Sequence, residues 1–448
     1  MTTLDNRIPV SPQQQFLCMF DKGDDIGIFG PRYVHVDGVR VRGVVDTNVL
    51  CGALADLVER HVALRTTVVR EQQSGSQIVN APSSPSLRVR DLRGTAVADR
   101  DRLVQELLNE VEATELPLAT QPPLRAELVQ FDDDDALLIL SVHHTTTDAW
   151  SMPVMLGELA NRYAARKGFD VPALPTPVSY LDYTEHELAS APEYARRARE
   201  YWKAKLDGAE ILAVPTDQPR SAGTWPDASW YRTSSAPSLR TDTIRTASAL
   251  RSSPFMVLLA AYTVLLHNAT GQTDITVPTF TPGRNNPRFQ RTVGSLVNFL
   301  PLRTDISGCT SFSDIVWAVR RTCLDAYRYE IPLLHLMPEA PALLAGAMAE
   351  DRALSVFQVV QAPEVMTAER VGDLEYSGVW RRELSQPVGS YVPDGMLWCL
   401  QLGPSSDILA NIAYSKGLFD DTRVRGDLGQ FFTLLGGLVT DPDAPLPR

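Results

Sequence analysis

The sequence is poor in cysteine and has no long hydrophobic run, and these two shortages exclude several classes of protein. Five cysteines are scattered over 448 residues without a C-x-x-C pair, so neither a zinc knuckle nor a disulfide framework is indicated. The longest apolar run, Phe255 to Leu266, is 12 residues long, whereas a membrane-spanning helix needs roughly 20. The N-terminus lacks the basic and then apolar order of a signal peptide. We therefore expect a cytoplasmic protein with no membrane partner.

Basic residues are in the minority, and several functional motifs are missing. Lys and Arg number 42 against 54 Asp and Glu, and the net charge of −12 argues against general binding to nucleic acid. The chain contains no G-x-G-x-x-G, G-K-[ST], G-x-S-x-G or H-E-x-x-H sequence, so it lacks the usual marks of nucleotide-binding proteins, serine hydrolases and zinc proteases. Its 44% hydrophobic and 21% charged residues are typical of a globular protein.

Strand-like and helix-like segments alternate along the chain, which predicts an α/β (α+β) fold. Hydrophobic periodicity predicts a helix over Asn48–Arg65 that runs into a strand. Two β-prone runs, Leu124–Gln130 and Ala136–Val142, are separated by an acidic segment and predict an antiparallel hairpin with a solvated turn. Ser253 and Pro254 predict the start of an apolar helix that we expect to be buried.

A proline-rich stretch, Val171 to Tyr180, interrupts this pattern and predicts a boundary between two lobes. We place the N-terminal lobe at residues 1–175 and the C-terminal lobe at residues 176–448. The length of the chain is compatible with two lobes of this size.

One local cluster of titratable groups has catalytic potential: His143, His144 and Asp148 in HHTTTDAWS. It follows the apolar strand ALLILSV and precedes a predicted helix that Ser151 is placed to cap, and loops of this kind often carry functional groups on a rigid scaffold. Histidine is well suited to move a proton near neutral pH, and the aspartate is placed to orient a ring or fix the loop. A structural pair of histidines remains an alternative. A metal site is disfavoured because no third His or Cys lies at ligand spacing.

The same segment resembles the His-His-x-x-x-Asp-Gly motif of the condensation domains of nonribosomal peptide synthetases. The resemblance extends over most of the chain through IPVSPQQQFL from Ile8, RHVALRTTV (60–68), YWKAKLDG from Tyr201, the buried helix (255–275) and VGSLVNFLPLRTDI (293–306). It implies two lobes like chloramphenicol acetyltransferase, arranged as a V-shaped pseudo-dimer. It further implies an active site in a tunnel at the lobe interface, with an interface-crossing loop near residues 278–300.

Individual roles follow from the matching positions. The resemblance implies that His144 is the catalytic residue, acting as a base or as a positioner of the nucleophile, and that His143 is its structural partner. Asp148 matches an aspartate that pairs with an arginine of the other lobe, here Arg284. The remaining supporting positions are Ala149, Trp150, Ser151 and, in the interface-crossing loop, Asn298.

Ala149 departs from the motif, because the family has glycine there. If the position requires a positive φ, alanine costs about 1 kcal/mol there. If the position must leave room for a pantetheine arm, the methyl group narrows the tunnel. We therefore expect an altered substrate fit with activity retained.

The resemblance implies a free-standing condensation enzyme of natural-product biosynthesis, for example of an antibiotic. It would join an acyl or aminoacyl group, held as a thioester on a carrier protein acting in trans, to a small amine or alcohol. No cofactor or metal is expected on the chain itself, since the phosphopantetheine belongs to the carrier. The sequence shows neither an adenylation segment nor a carrier motif. One basic segment fits either a docking face for the carrier or a merely solvated helix face: Arg196, Arg197, Arg199, Lys203 and Lys205.

Three alternatives stay open at this stage. One is an acyltransferase of the same superfamily that uses acyl-coenzyme A or a polyketide acceptor. Another is a non-catalytic condensation-like domain that recruits a partner protein, although the presence of both histidines and Asp148 weighs against it. Epimerisation is a third variant within the family.

Overall fold

The computed structural model describes residues 7–71, 74–189, 192–222, 228–360, 366–392, 395–403 and 405–446. Within these ranges the helices are α1 (Pro12–Cys18), α2 (Thr47–Arg60), α3 (Val97–Ala113), α4 (Ser151–Arg166), α5 (Tyr180–Leu188), α6 (Pro192–Lys205), α7 (Pro237–Ala249), α8 (Pro254–Thr270), α9 (Phe312–Arg328), α10 (Leu333–Leu336) and α11 (Asp421–Thr440).

The strands in the same ranges are β1 (Ile8–Pro9), β2 (Val34–Arg42), β3 (Thr66–Glu71), β4 (Ser74–Val79), β5 (Ser86–Asp91), β6 (Leu124–Asp132), β7 (Asp135–His143), β8 (Val214–Pro215), β9 (Ala228–Ser234), β10 (Asp274–Thr281), β11 (Asn298–Asp305), β12 (Arg352–Val360), β13 (Glu369–Val371), β14 (Leu374–Gly378), β15 (Gln386–Gly389), β16 (Gly395–Gln401) and β17 (Leu409–Ser415).

The N-terminal lobe is built on a six-stranded sheet in the order β13-β14-β2-β7-β6-β5. The predicted hairpin is present as β6 and β7, which pair antiparallel around the acidic turn. Every residue of β7 is buried, because α2 and α4 pack on one face of the sheet and α3 packs on the other. This buried central strand carries the two histidines at its C-terminal end on a rigid support.

The C-terminal lobe contains the second six-stranded sheet, in the order β15-β9-β17-β16-β12-β8. The predicted apolar helix is α8, which is buried in the core of this lobe. Ser253 caps α8 by accepting a hydrogen bond from the amide of Met256, Pro254 is its first residue, and Gly271 ends it with φ 71°. Helices α7, α9 and α11 pack around α8.

Two segments of the C-terminal part of the chain contact the N-terminal lobe. Strands β13 and β14 follow β12 of the C-terminal sheet, yet β14 pairs antiparallel with β2 at the edge of the N-terminal sheet. Strands β10 and β11 form a separate two-stranded ribbon, and the segment between them, residues 282–297, reaches the loop that follows β7. The irregular segment 169–179 lies at the predicted lobe boundary. A single boundary there assigns β13 and β14 to the C-terminal lobe, although both strands belong to the N-terminal sheet.

Two predictions of local structure need correction. The helix predicted over Asn48–Arg65 ends at Arg60, because His61 adopts an extended backbone and a 3₁₀ turn, Val62–Arg65, follows. Ser151 does not cap α4 but is its first residue, and the preceding residue, Trp150, makes no side-chain cap. Across the described residues, no single helix is long and apolar enough to cross a membrane; α7 and α8 reach the required length and apolarity only together, and they are bent by 104°.

Candidate active site

The histidine pair lies where β7 leaves the N-terminal sheet. The amide of His144 donates to the carbonyl oxygen of Tyr33 at 2.8 Å, which extends the pairing with the β2 side of the sheet by one residue. The amide of Thr146 then donates to the carbonyl oxygen of His143 at 3.0 Å and turns the chain towards α4. Backbone hydrogen bonds alone therefore hold the start of this loop.

His143 is completely buried, and both ring nitrogens have partners. Its Nε2–H donates to the carbonyl oxygen of Gly30 at 3.1 Å, and its Nδ1 lies 2.8 Å from Oγ1 of Thr145. Burial lowers the pKa of His143 to about 4. A neutral ring with both nitrogens engaged inside the protein supports the structural role predicted for this residue.

The buried environment of His143 makes the protein less stable at low pH. Because the pKa of His143 falls from 6.5 to about 4 on folding, the contribution of the neutral ring to the free energy of unfolding is present above pH 6.5. This contribution is lost as the pH falls towards 4. Full loss corresponds to about 3 kcal/mol of unfolding free energy. We expect His143→Gln to be less stable at pH 7 but to lose less stability than the wild type between pH 7 and 5. Urea unfolding at both pH values measures this difference, and equal losses would contradict it.

His144 has the geometry of a neutral base. Its Nδ1–H donates to the carbonyl oxygen of Thr147 at 2.8 Å, so the lone pair is on Nε2. The ring of Tyr33 stacks on the imidazole with centroids 4.8 Å apart, and His144 lines the cavity between the lobes. Burial and the nearby charge of His35 lower the pKa of His144. The ring is therefore unprotonated at neutral pH and can accept a proton from a group in the cavity.

His35, the second histidine that lines this cavity, was not predicted from the sequence. Its ring meets that of His144 edge-on at 5.7 Å between centroids, and its Nε2 lies 3.7 Å from Oδ2 of Asp37. Burial opposes protonation of His35, but the nearby carboxylate of Asp37 prevails and raises the pKa of His35. The available signal was the alternation in β2, where His35 and Asp37 interrupt an apolar face at spacing two.

The ion pair predicted between Asp148 and Arg284 is present at the lobe interface. The guanidinium donates to both carboxylate oxygens, at 2.7 and 3.0 Å, and both side chains are almost fully buried. Asp148 also accepts hydrogen bonds from the hydroxyl and amide of Ser151 and from the amide of Leu296. Burial alone would raise the pKa of Asp148, but Arg284 and these donors lower it. The pair thus joins the start of α4 to the segment 282–297.

Three further predicted site residues follow Asp148. Ser151 continues the same network, because its hydroxyl accepts from Arg284 at 3.0 Å. Nε1 of Trp150 donates to the carbonyl oxygen of Gln290 at 2.9 Å, a second link to the segment 282–297. Ala149 does not have a positive φ, so the condition under which alanine would strain the backbone is not met. Ala149 lines the cavity, and an altered substrate fit stays a prediction.

Asn298 has a different place from the one expected for active-site support. It is the first residue of β11, and it does not line the cavity, although Val297 and Phe299 on either side do. Its Nδ2 donates to the carbonyl oxygen of Ile331 at 3.0 Å, and its Oδ1 accepts from the amide of Leu333 at 3.1 Å. Asn298 therefore fixes the chain between α9 and α10, and its role in supporting the active site stays a prediction.

The cavity between the lobes has a volume of about 340 Å³ and a mostly apolar wall, within the range of small-molecule sites. One charged cluster lies in this wall. Glu112 of α3 pairs with Arg232 of β9 at 2.9 Å and with Arg382 at 2.6 Å, and it accepts from Ser390 at 2.8 Å. Burial would raise the pKa of Glu112, but the two arginines lower it to about 2. The cluster is a further charged connection between the lobes, in addition to the Asp148–Arg284 pair.

Comparison with known proteins agrees with this architecture. The family model described as condensation domain matches residues 5–448. A linear gramicidin synthase polypeptide of Brevibacillus parabrevis is 32% identical over 98% of this chain. Malpinin synthetase of Mortierella alpina is 28% identical over 99% of this chain. The chain spans only 8% and 6% of the length of these relatives, respectively.

Solved structures give the same result. SgcC5 of Streptomyces globisporus, in complex with (R)-(-)-1-(2-naphthyl)-1,2-ethanediol and sucrose, is 44% identical, with a TM-score of 0.94 over 98% of this chain and 100% of that one. The first condensation domain of the calcium-dependent antibiotic synthetase is 21% identical, with a TM-score of 0.78 over 99% of this chain and 98% of that one. The expected two-lobed α/β fold is confirmed. The chain belongs to the condensation domain family, which catalyses the formation of amide bonds.

Proposed function

We propose that this protein is an acyltransferase that joins a carrier-bound acyl thioester to a hydroxyl group of a small aromatic diol, forming an ester. The observation that carries the proposal is the neutral His144, whose unprotonated Nε2 belongs to a ring in the wall of a mostly apolar interlobe cavity. The acceptor class is supported by SgcC5, which is similar along the whole chain and was solved with an aryl 1,2-diol.

In this reaction His144 carries one proton from the acceptor hydroxyl to the leaving thiolate. Its Nε2 accepts the proton of the acceptor hydroxyl while that oxygen forms a bond to the thioester carbonyl carbon. The carbon–sulfur bond then breaks, and the departing thiolate of the phosphopantetheine arm takes the proton back from the imidazolium. His143 and the Asp148–Arg284 pair hold the loop that presents His144 and do not exchange protons with the substrates.

In this proposal the acyl donor is a thioester on a carrier protein that docks in trans, so the phosphopantetheine is part of the substrate rather than of this chain. Helix α6 offers a basic surface for an acidic carrier. Arg196 already pairs with Glu193 and Glu200, whereas Arg197, Arg199 and Lys203 are exposed and Lys205 is half-buried. Screening makes isolated surface charges weak, so α6 contributes attraction over the whole face rather than one specific contact.

A competition between donors and acceptors tests the proposal. The same acyl group is presented on a carrier protein and on coenzyme A, with an aryl 1,2-diol or the matching aryl amino alcohol as acceptor. Intact mass spectrometry of the carrier and of the product gives kcat/KM for each pair. We expect the carrier-bound donor and the diol to be preferred. Equal kcat/KM with acyl-coenzyme A, or preferential transfer to the amine, would contradict the proposal.

A further inference from the structure

A line of polar side chains crosses the C-terminal sheet where this sheet forms a wall of the cavity. Gln358 of β12 is opposite Cys399 of β16, Cys399 is opposite Asn411 of β17, and Asn411 is opposite Arg232 of β9. Residues opposite each other on paired strands point to the same face, and all four line the cavity. We call these four residues the polar row.

One of the two adjacent rows on the same face is apolar. Two residues away along each strand, Val356, Leu397, Ala413 and Trp230 are opposite one another in the same order. Along this wall, apolar side chains therefore lie next to amide, thiol and guanidinium groups. An apolar group with a polar end has the matching pattern.

One atom of the polar row, Oδ1 of Asn411, lacks a hydrogen-bond partner among the described residues. The side chain of Asn411 is only 4% exposed. Buried polar atoms without a partner are uncommon in folded proteins, and a functional site is one explanation for them. Oδ1 is an acceptor, so the missing partner must be a hydrogen-bond donor.

The charges around the polar row restrict what that donor can be. The guanidinium of Arg232 donates to Glu112, Asn109 and the carbonyl oxygen of Leu384. Glu112 is shared with Arg382, so two guanidinium groups face one carboxylate and a substrate ammonium group is disfavoured. A carboxylate has no hydrogen to donate to Asn411. A hydroxyl group donates a hydrogen bond without bringing positive charge.

We propose that the polar row is a subsite for the hydroxyl group at the end of an apolar portion, such as a phenol, of one of the two substrates. This inference rests on the proposed function, because it takes the cavity to be the place where acyl donor and acceptor meet. The hydroxyl can belong to the acyl group or to the acceptor, and the chemistry of the contact is the same in both cases. The subsite would give selectivity rather than catalysis, since its members lie on the sheet of the other lobe from His144.

The test uses matched substrates with and without the distal hydroxyl group. One series varies the acyl group on the carrier with a fixed acceptor, and the other varies the acceptor with a fixed donor. In one of the two series we expect the wild type to prefer the hydroxylated member by roughly 10- to 100-fold in kcat/KM, because sites built to bind a hydroxyl discriminate against its absence. That series identifies the substrate that occupies the subsite.

Asn411→Leu, of similar shape, should abolish this preference, so that the hydroxylated and the deoxy member of the pair react with the same kcat/KM. Gln358→Leu is a second variant with a reduced preference expected, and Val356→Ala in the apolar row is a control that should affect both members alike.

An equal loss on both members of the pair in Asn411→Leu, or no preference of the wild type in either series, would overturn the subsite. Turnover of deoxy substrates by the wild type would still support the proposed function, so the two proposals fail separately.

Discussion

His144→Ala should lower kcat by about 10²–10⁴-fold, the range expected when a general base is removed. The reason is geometric: Nδ1–H of His144 is bonded to the carbonyl oxygen of Thr147, so Nε2 is the nitrogen left with a lone pair to accept the proton. Folding should be largely preserved, since this ring makes one hydrogen bond to the backbone of its own loop. Single-turnover kinetics with a carrier-bound donor measures the loss without a contribution from product release.

The pH profile separates a base from a residue that only positions the substrate. Burial and the charge of His35 lower the pKa of His144, so the acidic limb of kcat/KM should have its midpoint below 6.5. That limb should disappear in His144→Ala, and imidazole added to this variant should restore part of the rate. His267→Ala, which changes a histidine at the end of α8 that does not line the cavity, is the matched control. Near-normal turnover by folded His144→Ala would contradict the base role.

Local signals predicted much of the scaffold. The start of α8 was predictable because a serine cap and a proline in the first turn act within four residues. The hairpin β6–β7 was predictable because its strands are adjacent in sequence and its turn is acidic. The pair Asp148–Arg284 was expected only through the family resemblance, since the two residues are 136 positions apart.

The features that local signals missed depend on contacts between distant segments. Strand β14 pairs with β2 across more than 300 residues, and no periodicity within either strand specifies that partner. His35 was overlooked because the interrupted apolar face of β2 does not indicate a function until β7 brings His144 next to His35. The polar row likewise exists only in the register of four strands. Asn298 shows the converse, because its motif position indicated the site whereas its amide binds Ile331 and Leu333.

Asp148→Asn and Arg284→Ala should each destabilise the protein by about 3–5 kcal/mol, because each leaves a buried group without its partner. Both side chains are at most 1% exposed. The loop that carries His144 depends on the same contacts, so activity should fall together with the melting temperature. Urea unfolding and kcat measured on the folded fraction provide the two readouts.

The double variant of Asp148 and Arg284 distinguishes a structural role of the ion pair from a direct role in the reaction. If the ion pair mainly joins α4 to the segment 282–297, the double variant should lose clearly less than the sum of the single variants, because removing both partners leaves no uncompensated charge. The exposed pair Arg102–Glu106 of α3 is the matched control, and its single variants should change stability by less than about 1 kcal/mol. Single variants of Asp148 or Arg284 that keep the wild-type melting temperature but lose activity would show instead that the pair acts directly on the substrates.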